Sequence, residues 1–381
     1  SGARALVFRP AEGHRVSDWP DIPFGHTGMA AAFSRGDVYD VAEKPERARK
    51  RPLRVALAGF GGVAQAKWLP AIRRLQTIGE PLSLAGVADP SPERRDKAAR
   101  LAAGPAYAGL AELIEAEAPD LVLILAADSA HFELARIAIE RGVACLVEKP
   151  FCPRLEDAEA LVRLAADRGV LLSAVANKRF SPPYAMAKAL LDQGALHGAP
   201  MVFTGKFTLG YPYVDLLNGG TVHLLDLMGW FMGPVARLHA RGIEAEGGLQ
   251  SAVISVQFAS GAIGTLTTSA AGLSFKPWER VELFGRNAFL VVDDQLELTL
   301  FDEEMGPAKS WRPVVPNTLM FDEAFGGYAG QLENVLDALR GEAQLAVTGQ
   351  DGAAAVRLIQ AIRNSIASDA ETVLSEAGIS S

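Results

Sequence analysis

The stretch that most constrains this chain is Leu53 to Pro70, read as L-R-V-A-L-A-G-F-G-G-V-A-Q-A-K-W-L-P. Leu53 to Ala58 is a short apolar run of the kind that forms a strand buried on both faces. It stops at a cluster of glycines, and helix-compatible sequence follows at once. Strand, glycine turn, helix is the context in which G-x-G-x-x-A binds a dinucleotide. Gly59 suits the tight turn, Gly61 the close approach of backbone to a pyrophosphate, and Ala64 the close packing of helix on strand. Phe60, Gly62 and Val63 complete the loop, which would place phosphates over N–H groups at the helix start, where the dipole favours negative charge. The competing reading is a purely structural glycine turn.

The 381 residues exceed one ordinary domain, so two are expected. Hydrophobic residues make up 49% and charged residues 22%, the balance of a soluble globular protein. A net charge of −8, with no broad basic face, argues against a nucleic-acid partner. No apolar run is long enough to span a bilayer, and the first residues do not read as a signal peptide. Cys145 and Cys152 are the only cysteines, and neither has a second ligand at metal-site spacing. No disulfide framework and no metal are expected, and a reducing, cytoplasmic compartment is.

Residues 1–52 read as an N-terminal extension and linker, broken by Pro10, Pro20, Pro23 and Pro45 and ending in a mixed charged run. From Leu53 strands and helices alternate, with strands at Leu82 to Ala88, Leu121 to Ala126, Val143 to Val147 and Val170 to Ala176. Helices are predicted at Val63 to Ile78, Glu93 to Ala103, Leu110 to Ala118, Ser129 to Arg141 and Leu155 to Arg168. That alternation predicts an α/β chain whose residues 53–176 form a doubly wound parallel sheet of Rossmann type. Residues 177–381 change character. Helices at Pro182 to Gln193 and Thr221 to Met232 precede alternating strands between Ser251 and Leu300, and helices at Gly330 to Leu339 and Gly352 to Ala367 close the chain. An α/β domain on a largely antiparallel, open sheet is expected there.

Several residues carry chemistry. Asp89 ends the second strand, where an acid accepts hydrogen bonds from the adenosine ribose, the reading favoured over a cap before Pro90. An acid there repels a 2′-phosphate, so NAD is preferred, while nearby Arg94 and Arg95 leave NADP possible. Glu148-Lys149-Pro150 follows a buried strand and so lies on the carboxyl edge of the sheet, where a lysine can hydrogen-bond a substrate hydroxyl or help its proton leave. A second copy, Glu43-Lys44-Pro45, lacks such an edge. His223 and Asp226 share a helix face. A histidine on an apolar helix is commonly a core residue, but Asn218-Gly219-Gly220 before it would leave room for a ligand. His131 either meets the nicotinamide half or is an ordinary first-turn residue. Arg179 either binds a ribose or substrate oxygen or joins domains by an ion pair.

Taken together these motifs resemble the glucose–fructose oxidoreductase / inositol dehydrogenase / rhizopine catabolism (Gfo/Idh/MocA) family. They are Ala58-Gly59-Phe60-Gly61-Gly62-Val63-Ala64, Val87-Ala88-Asp89, His131 after the apolar strand, Glu148-Lys149-Pro150, Asn177-x-Arg179-Phe180 and His223-x-x-Asp226 with Trp230 and Gly233. The resemblance spans roughly residues 53 to 370. It implies hydride transfer between NAD(P) and a carbinol of a sugar, inositol or related polyol, with Lys149 and His223 as catalytic residues and His223 as proton acceptor. It implies cofactor contacts from Gly59, Phe60, Gly61, Gly62, Val63, Asp89, Ala126, His131 and Glu148, and substrate contacts from Lys149, Arg179, Asn218 and His223. A homodimer or homotetramer through the C-terminal sheet is implied as well. An NAD-dependent glycoside hydrolase on the same scaffold and a non-catalytic nucleotide-dependent sensor are the alternative functions. Three departures stand out. The family's acid four residues before the histidine is Gly219 here and its glycine two before is Thr221; Asp215 or Asn218 are the residues near enough in sequence to substitute. The T-P-x-x-x-H segment is Ala126-Ala127-Asp128-Ser129-Ala130-His131. Trp68 stands where many members carry a histidine.

Overall fold

The computed structural model describes residues 50–374 except 103, 210–214, 246, 271–276, 303–307 and 313–324. Nearly all of the N-terminal extension, with Glu43-Lys44-Pro45, lies outside the described residues. The chain divides into two compact units.

The first unit holds a six-stranded parallel sheet: β1 (Leu53–Ala58), β2 (Leu82–Ala88), β3 (Ala106–Tyr107), β4 (Leu121–Ile124), β5 (Ala144–Val147) and β6 (Leu172–Ala174). Their order is β3-β2-β1-β4-β5-β6, the doubly wound arrangement whose order reverses between β1 and β4. Leu57 sits opposite Val87 on one side and Leu123 on the other. Leu53, Val55, Leu57, Leu121, Leu123 and Leu146 are all fully buried, which is why these strands read as continuous apolar runs. Only β3 escapes a sequence reading, since two residues carry no period.

The first helical stretch is not uniform. Ala64–Trp68 is one π turn, closed by Leu69 N–H to the Ala64 carbonyl, and a regular α-helix runs Leu69–Thr77. Pro70 accounts for the widening: it has no N–H to give the carbonyl four residues back, and its ring crowds that carbonyl. The helix Tyr328–Arg340 also belongs to this unit, whereas a boundary after residue 176 assigns it to the second. Its apolar face decides the matter: Leu332, Val335 and Leu336 are fully buried in one cluster with Trp68, Ile72 and Leu75. Arg340 pairs with Glu80 at 2.6 Å, both almost fully buried, and Lys50 pairs with Asp337 at 2.6 Å.

The second unit is built on a nine-stranded sheet: β7 (Val202–Thr208), β8 (Val235–Ala245), β9 (Gly248–Phe258), β10 (Ile263–Ser269), β11 (Trp278–Phe284), β12 (Phe289–Asp293), β13 (Glu297–Phe301), β14 (Lys309–Trp311) and β15 (Thr372–Val373). The order is β14-β13-β12-β11-β7-β10-β9-β8-β15. Every pairing is antiparallel except β7 with β10. One face is buried by Phe203, Ile254, Val256, Leu266 and Leu283 under the helices Pro182–Asp192, Val222–Met232 and Gly349–Ser368. Among the described residues no helix covers the other face. It presents Thr265 and Thr267 beside Val253 and Ile263, the latter two 54% exposed, and a ladder of stacked rings from Phe284, Phe289 and Phe301.

Candidate active site

The chain leaves β1 beside the chain leaving β4, and Gly59 is the residue that makes this possible. Its φ is +98°, and a Cβ there would stand 2.7 Å from the backbone N and Cα of Ala126. Contacts that close to main chain exclude every other residue type. The turn is tied on both sides: Gly59 N–H donates to the Ala88 carbonyl and Leu125 N–H to the Ala58 carbonyl, each at 2.7 Å. Gly61 and Gly62 behave differently. A Cβ at either would meet nothing within 4 Å, and the first N–H groups of a helix have no intrahelical acceptor. A bare cradle of backbone donors at a helix start on the carboxyl edge of a parallel sheet fits a pyrophosphate. The Phe60 side chain is fully buried, so Phe60 serves the cradle through its backbone: its carbonyl accepts the Gln65 side-chain amide at 2.7 Å.

Asp89 closes the other wall. Its Oδ2 accepts Phe60 N–H at 2.8 Å and its Oδ1 accepts Ser91 N–H at 2.9 Å, with 1% of the residue exposed. The cap before Pro90 is therefore present, and the same carboxylate holds the glycine turn. Each oxygen retains a second acceptor site, which a ribose hydroxyl would need. Arg94 lies 3.7 Å from Oδ2 and is mostly exposed, while Arg95 donates to the Asp89 and Pro90 carbonyls.

Glu148, Lys149 and Pro150 follow β5. Glu148 is buried; Oε2 accepts the Lys149 peptide N–H at 2.9 Å and Oε1 accepts the Trp68 indole N–H at 2.9 Å. Trp68 is fully buried and meets Tyr328 edge-on at 5.1 Å. The Lys149–Pro150 peptide is cis. His131, at the start of the helix His131–Glu140, is 1% exposed, with Nδ1 2.8 Å from the Pro150 carbonyl oxygen and Nε2 3.2 Å from that of Ala126. It thus braces the ends of β4 and β5 through main chain. Neither sequence reading of His131 included this main-chain role. Lys149 itself is half-buried.

Arg179 sits in a single 3₁₀ turn after β6, buried, with Nη1 donating to the Ala346 carbonyl at 3.2 Å. Asn177 in the same turn donates to the Gly326 carbonyl at 2.6 Å. The Asn177 side chain thus fastens the segment before the helix Tyr328–Arg340 and that of Arg179 the segment after it, a use that neither sequence reading of Arg179 included.

In the second unit Leu217–Thr221 forms another π turn, and His223 and Asp226 follow on the helix Val222–Met232, both half-buried. The expectation that the preceding glycines leave space for a ligand is corrected at Gly220, where a Cβ would fall 2.2 Å from the Phe207 ring. That glycine admits packing. Thr221, at the family's glycine position two before the histidine, is fully buried and bonded to the Leu216 carbonyl and the Thr268 hydroxyl. Asp215 caps the turn by accepting Asn218 N–H at 2.8 Å and pairs with Arg363 at 3.0 Å through both oxygens. One contact caps the turn and the other ties it to the helix Gly349–Ser368.

Among the described residues no group of three metal-type ligands comes together. Both cysteines are buried and unpaired; burial raises the Cys145 thiol, and burial with the Asp157 charge pushes Cys152 up to about 12. Neither serves as a nucleophile or ligand at neutral pH. Sequence reasoning passed over Trp68 except as a departure, and Gln65 entirely. Their partners Glu148 and Phe60 were visible, but a donor on the next helix leaves no local signature.

The chain matches two family models, the oxidoreductase family's NAD-binding Rossmann fold over residues 53–175 and its C-terminal α/β domain over residues 216–373. The YceM protein of Salmonella typhimurium is 27% identical over 320 residues, covering 82% of this chain and 97% of its own. The inositol 2-dehydrogenase of Rhizobium meliloti is 27% identical over 275 residues, covering 67% of this chain and 81% of its own. A solved structure of levoglucosan dehydrogenase in complex with NADH and levoglucosan superposes with a TM-score of 0.76 at 17% identity, covering 86% of this chain and 100% of that one. The last likeness speaks for the fold. With both halves matched and the nucleotide cradle in place, the chain belongs to the Gfo/Idh/MocA family of NAD-dependent oxidoreductases.

Proposed function

We propose that the chain is a dehydrogenase that transfers hydride between NAD and a carbinol of a sugar, inositol or related polyol, with Lys149 and His223 handling the proton. The observation that carries this is the position of Lys149. It follows β5, whose neighbour β4 leads into Ala126, against which the nucleotide turn is packed. The main chain of Gly59 to Val63, with Asp89 and Ala126, would hold NAD, and NAD when bound supplies the hydride acceptor. His223 takes the hydroxyl proton, and Asp226 one turn on orients its ring. Lys149 donates a hydrogen bond to the carbinol oxygen and offsets its developing negative charge. Arg179 and Asn218 bind further substrate oxygens. An acid at Asp89 disfavours a 2′-phosphate, which agrees with NAD over NADP.

Relatives point to the same substrate class. Proteins named inositol 2-dehydrogenase and D-apiose dehydrogenase match at 27% and 31% identity. A second copy of the chain is proposed to cover the open sheet face, giving a homodimer or homotetramer. The flat run of Thr265 and Thr267 with Val253 and Ile263 suits sheet stacking. Buried thiols at Cys145 and Cys152 agree with a reducing, cytoplasmic setting.

The test is NADH absorbance across a panel of sugars and polyols, alongside thermal shift with NAD and NADP. Net NADH from one of them supports the dehydrogenase. Consumption of a glycoside without net NADH favours the hydrolase reading, and nucleotide binding with no turnover favours the sensor.

A further inference from the structure

The segment Glu148-Lys149-Pro150 is a short loop at a sheet edge, yet both oxygens of the Glu148 carboxylate are engaged. One accepts the peptide N–H of Lys149 and the other the indole N–H of Trp68, each at 2.9 Å. All of this lies within the first unit. A carboxylate is an acceptor only, and a buried one without donors is costly, so Glu148 can hold the Lys149 peptide only while its second oxygen is satisfied. Trp68 is the donor, and it is a donor that cannot slide. Its ring is fully buried, packed edge-on against Tyr328, and it ends the π turn that begins just beyond the glycine cradle. Of the indole's atoms only Nε1–H can make such a bond. The π turn matters here, because its extra residue re-aims the side chains that follow relative to a regular helix.

We propose that Trp68 is a positioning residue for Lys149, acting through Glu148, so that one π turn links the backbone that faces the nucleotide to the peptide that carries the lysine. The inference rests on the reading of Lys149 as catalytic. The ring nitrogen of His131 on the Pro150 carbonyl, at 2.8 Å, holds the other end of the same tripeptide. The main chain is therefore held on both sides of Lys149, at its own N–H and at the Pro150 carbonyl, while its side chain stays half-buried.

The test is Trp68→Phe, which keeps a buried aromatic ring and removes the N–H, assayed on whichever substrate the panel identifies. A small displacement of a reacting group costs up to about a hundredfold in rate. The expected result is a kcat lower by roughly tenfold to a hundredfold, with KM for substrate and the NAD thermal shift changed less than about threefold. Hydrogen exchange at the Lys149 amide, followed by mass spectrometry, should quicken by at least about tenfold, because its acceptor has lost its anchor. In a Lys149→Ala background Trp68→Phe should change the residual rate no further, the coupling expected of residues acting in series. If Trp68→Phe unfolds, Glu148→Gln replaces it: the amide still offers one oxygen but cannot accept from both donors, and the same kcat loss and faster exchange are expected. A Trp68→Phe or Glu148→Gln protein with wild-type kcat and Lys149 exchange overturns the proposal. A Lys149→Ala protein with full turnover overturns instead the reading of Lys149 on which it rests.

Discussion

Gly59 offers the sharpest test of how this site is built, because the structure separates its duty from that of its neighbours. In Gly59→Ala the new Cβ would lie 2.7 Å from the N and Cα of Ala126 and 2.8 Å from the Leu125 carbonyl carbon, all main chain of the neighbouring strand end. It would also sit at φ +98°, where a side chain costs about 1–3 kcal/mol. Relieving the clash means moving β1 and β4 apart, and overpacking of that kind costs about 1–3 kcal/mol more. The sum is roughly 2–6 kcal/mol, a large fraction of a domain's usual stability of about 5–15 kcal/mol. For a unit of this size about 2–4 °C are lost per kcal/mol, so the apparent Tm should fall by roughly 5–20 °C. Gly62→Ala is the counterpart. Its Cβ meets nothing within 4 Å, so the free protein should keep its stability to within about 0.5 kcal/mol. Its methyl group instead occupies the cradle. A ligand at a hundred times its Kd stabilises by about 2.7 kcal/mol, and a tenfold weaker Kd removes about half of that. Thermal unfolding of the two variants with and without NAD reads both effects. Gly59→Ala with an unchanged Tm would refute the steric argument, and Gly62→Ala with a full NAD shift would refute the cradle.

Other consequences are as definite. Lys149→Ala should retain the NAD thermal shift while turnover falls by at least about a hundredfold; an unchanged kcat removes it from the chemistry. Arg340→Ala leaves buried Glu80 without its 2.6 Å partner, so urea unfolding should report a loss of about 3–5 kcal/mol, with the activity of the folded fraction kept. Asp215→Ala removes a cap and a half-exposed pair with Arg363, costing about 1 kcal/mol; a kcat loss beyond about tenfold would restore Asp215 as the stand-in acid. Cys152, whose thiol burial and Asp157 push up to about 12, favours folding below the unfolded thiol's value near ~8.5, and that contribution is lost as pH rises from there towards 12. Alkylation at pH 8 followed by mass spectrometry should therefore label Cys152 only after denaturation.

What the sequence reveals here depends on whether a residue's partner is local. β1, β2, β4 and β5 are legible because a strand covered on both faces must be apolar at every position, as Leu121–Ile124 is. β8 is not legible. Its inner face is reduced to Leu238, Ala240 and Gly242, and a Cβ at Gly242 would fall 2.6 Å from Leu249; the close packing that defines the strand erases its hydrophobic signal. Placing the helix Tyr328–Arg340 in the first unit is a problem of the same sort, since Leu332, Val335 and Leu336 would serve equally well over either sheet. The glycine cradle and Glu148-Lys149-Pro150 are legible because backbone and adjacent residues perform their chemistry. Which groups hold them is not, because Asp89 reaches Phe60 across 29 positions and Trp68 reaches Glu148 across 80. The division bears on the departures at the substrate end. Thr221 has become a buried packing residue and Asp215 a cap, so the turn before His223 has been rebuilt around packing, while the cradle that binds the nucleotide keeps both its glycines and the carboxylate that holds it. On the proposed role of His223, the departures from the family pattern fall at the substrate end of the site and not at the glycine turn. The panel that identifies the substrate should accordingly extend beyond the sugars its relatives are named for.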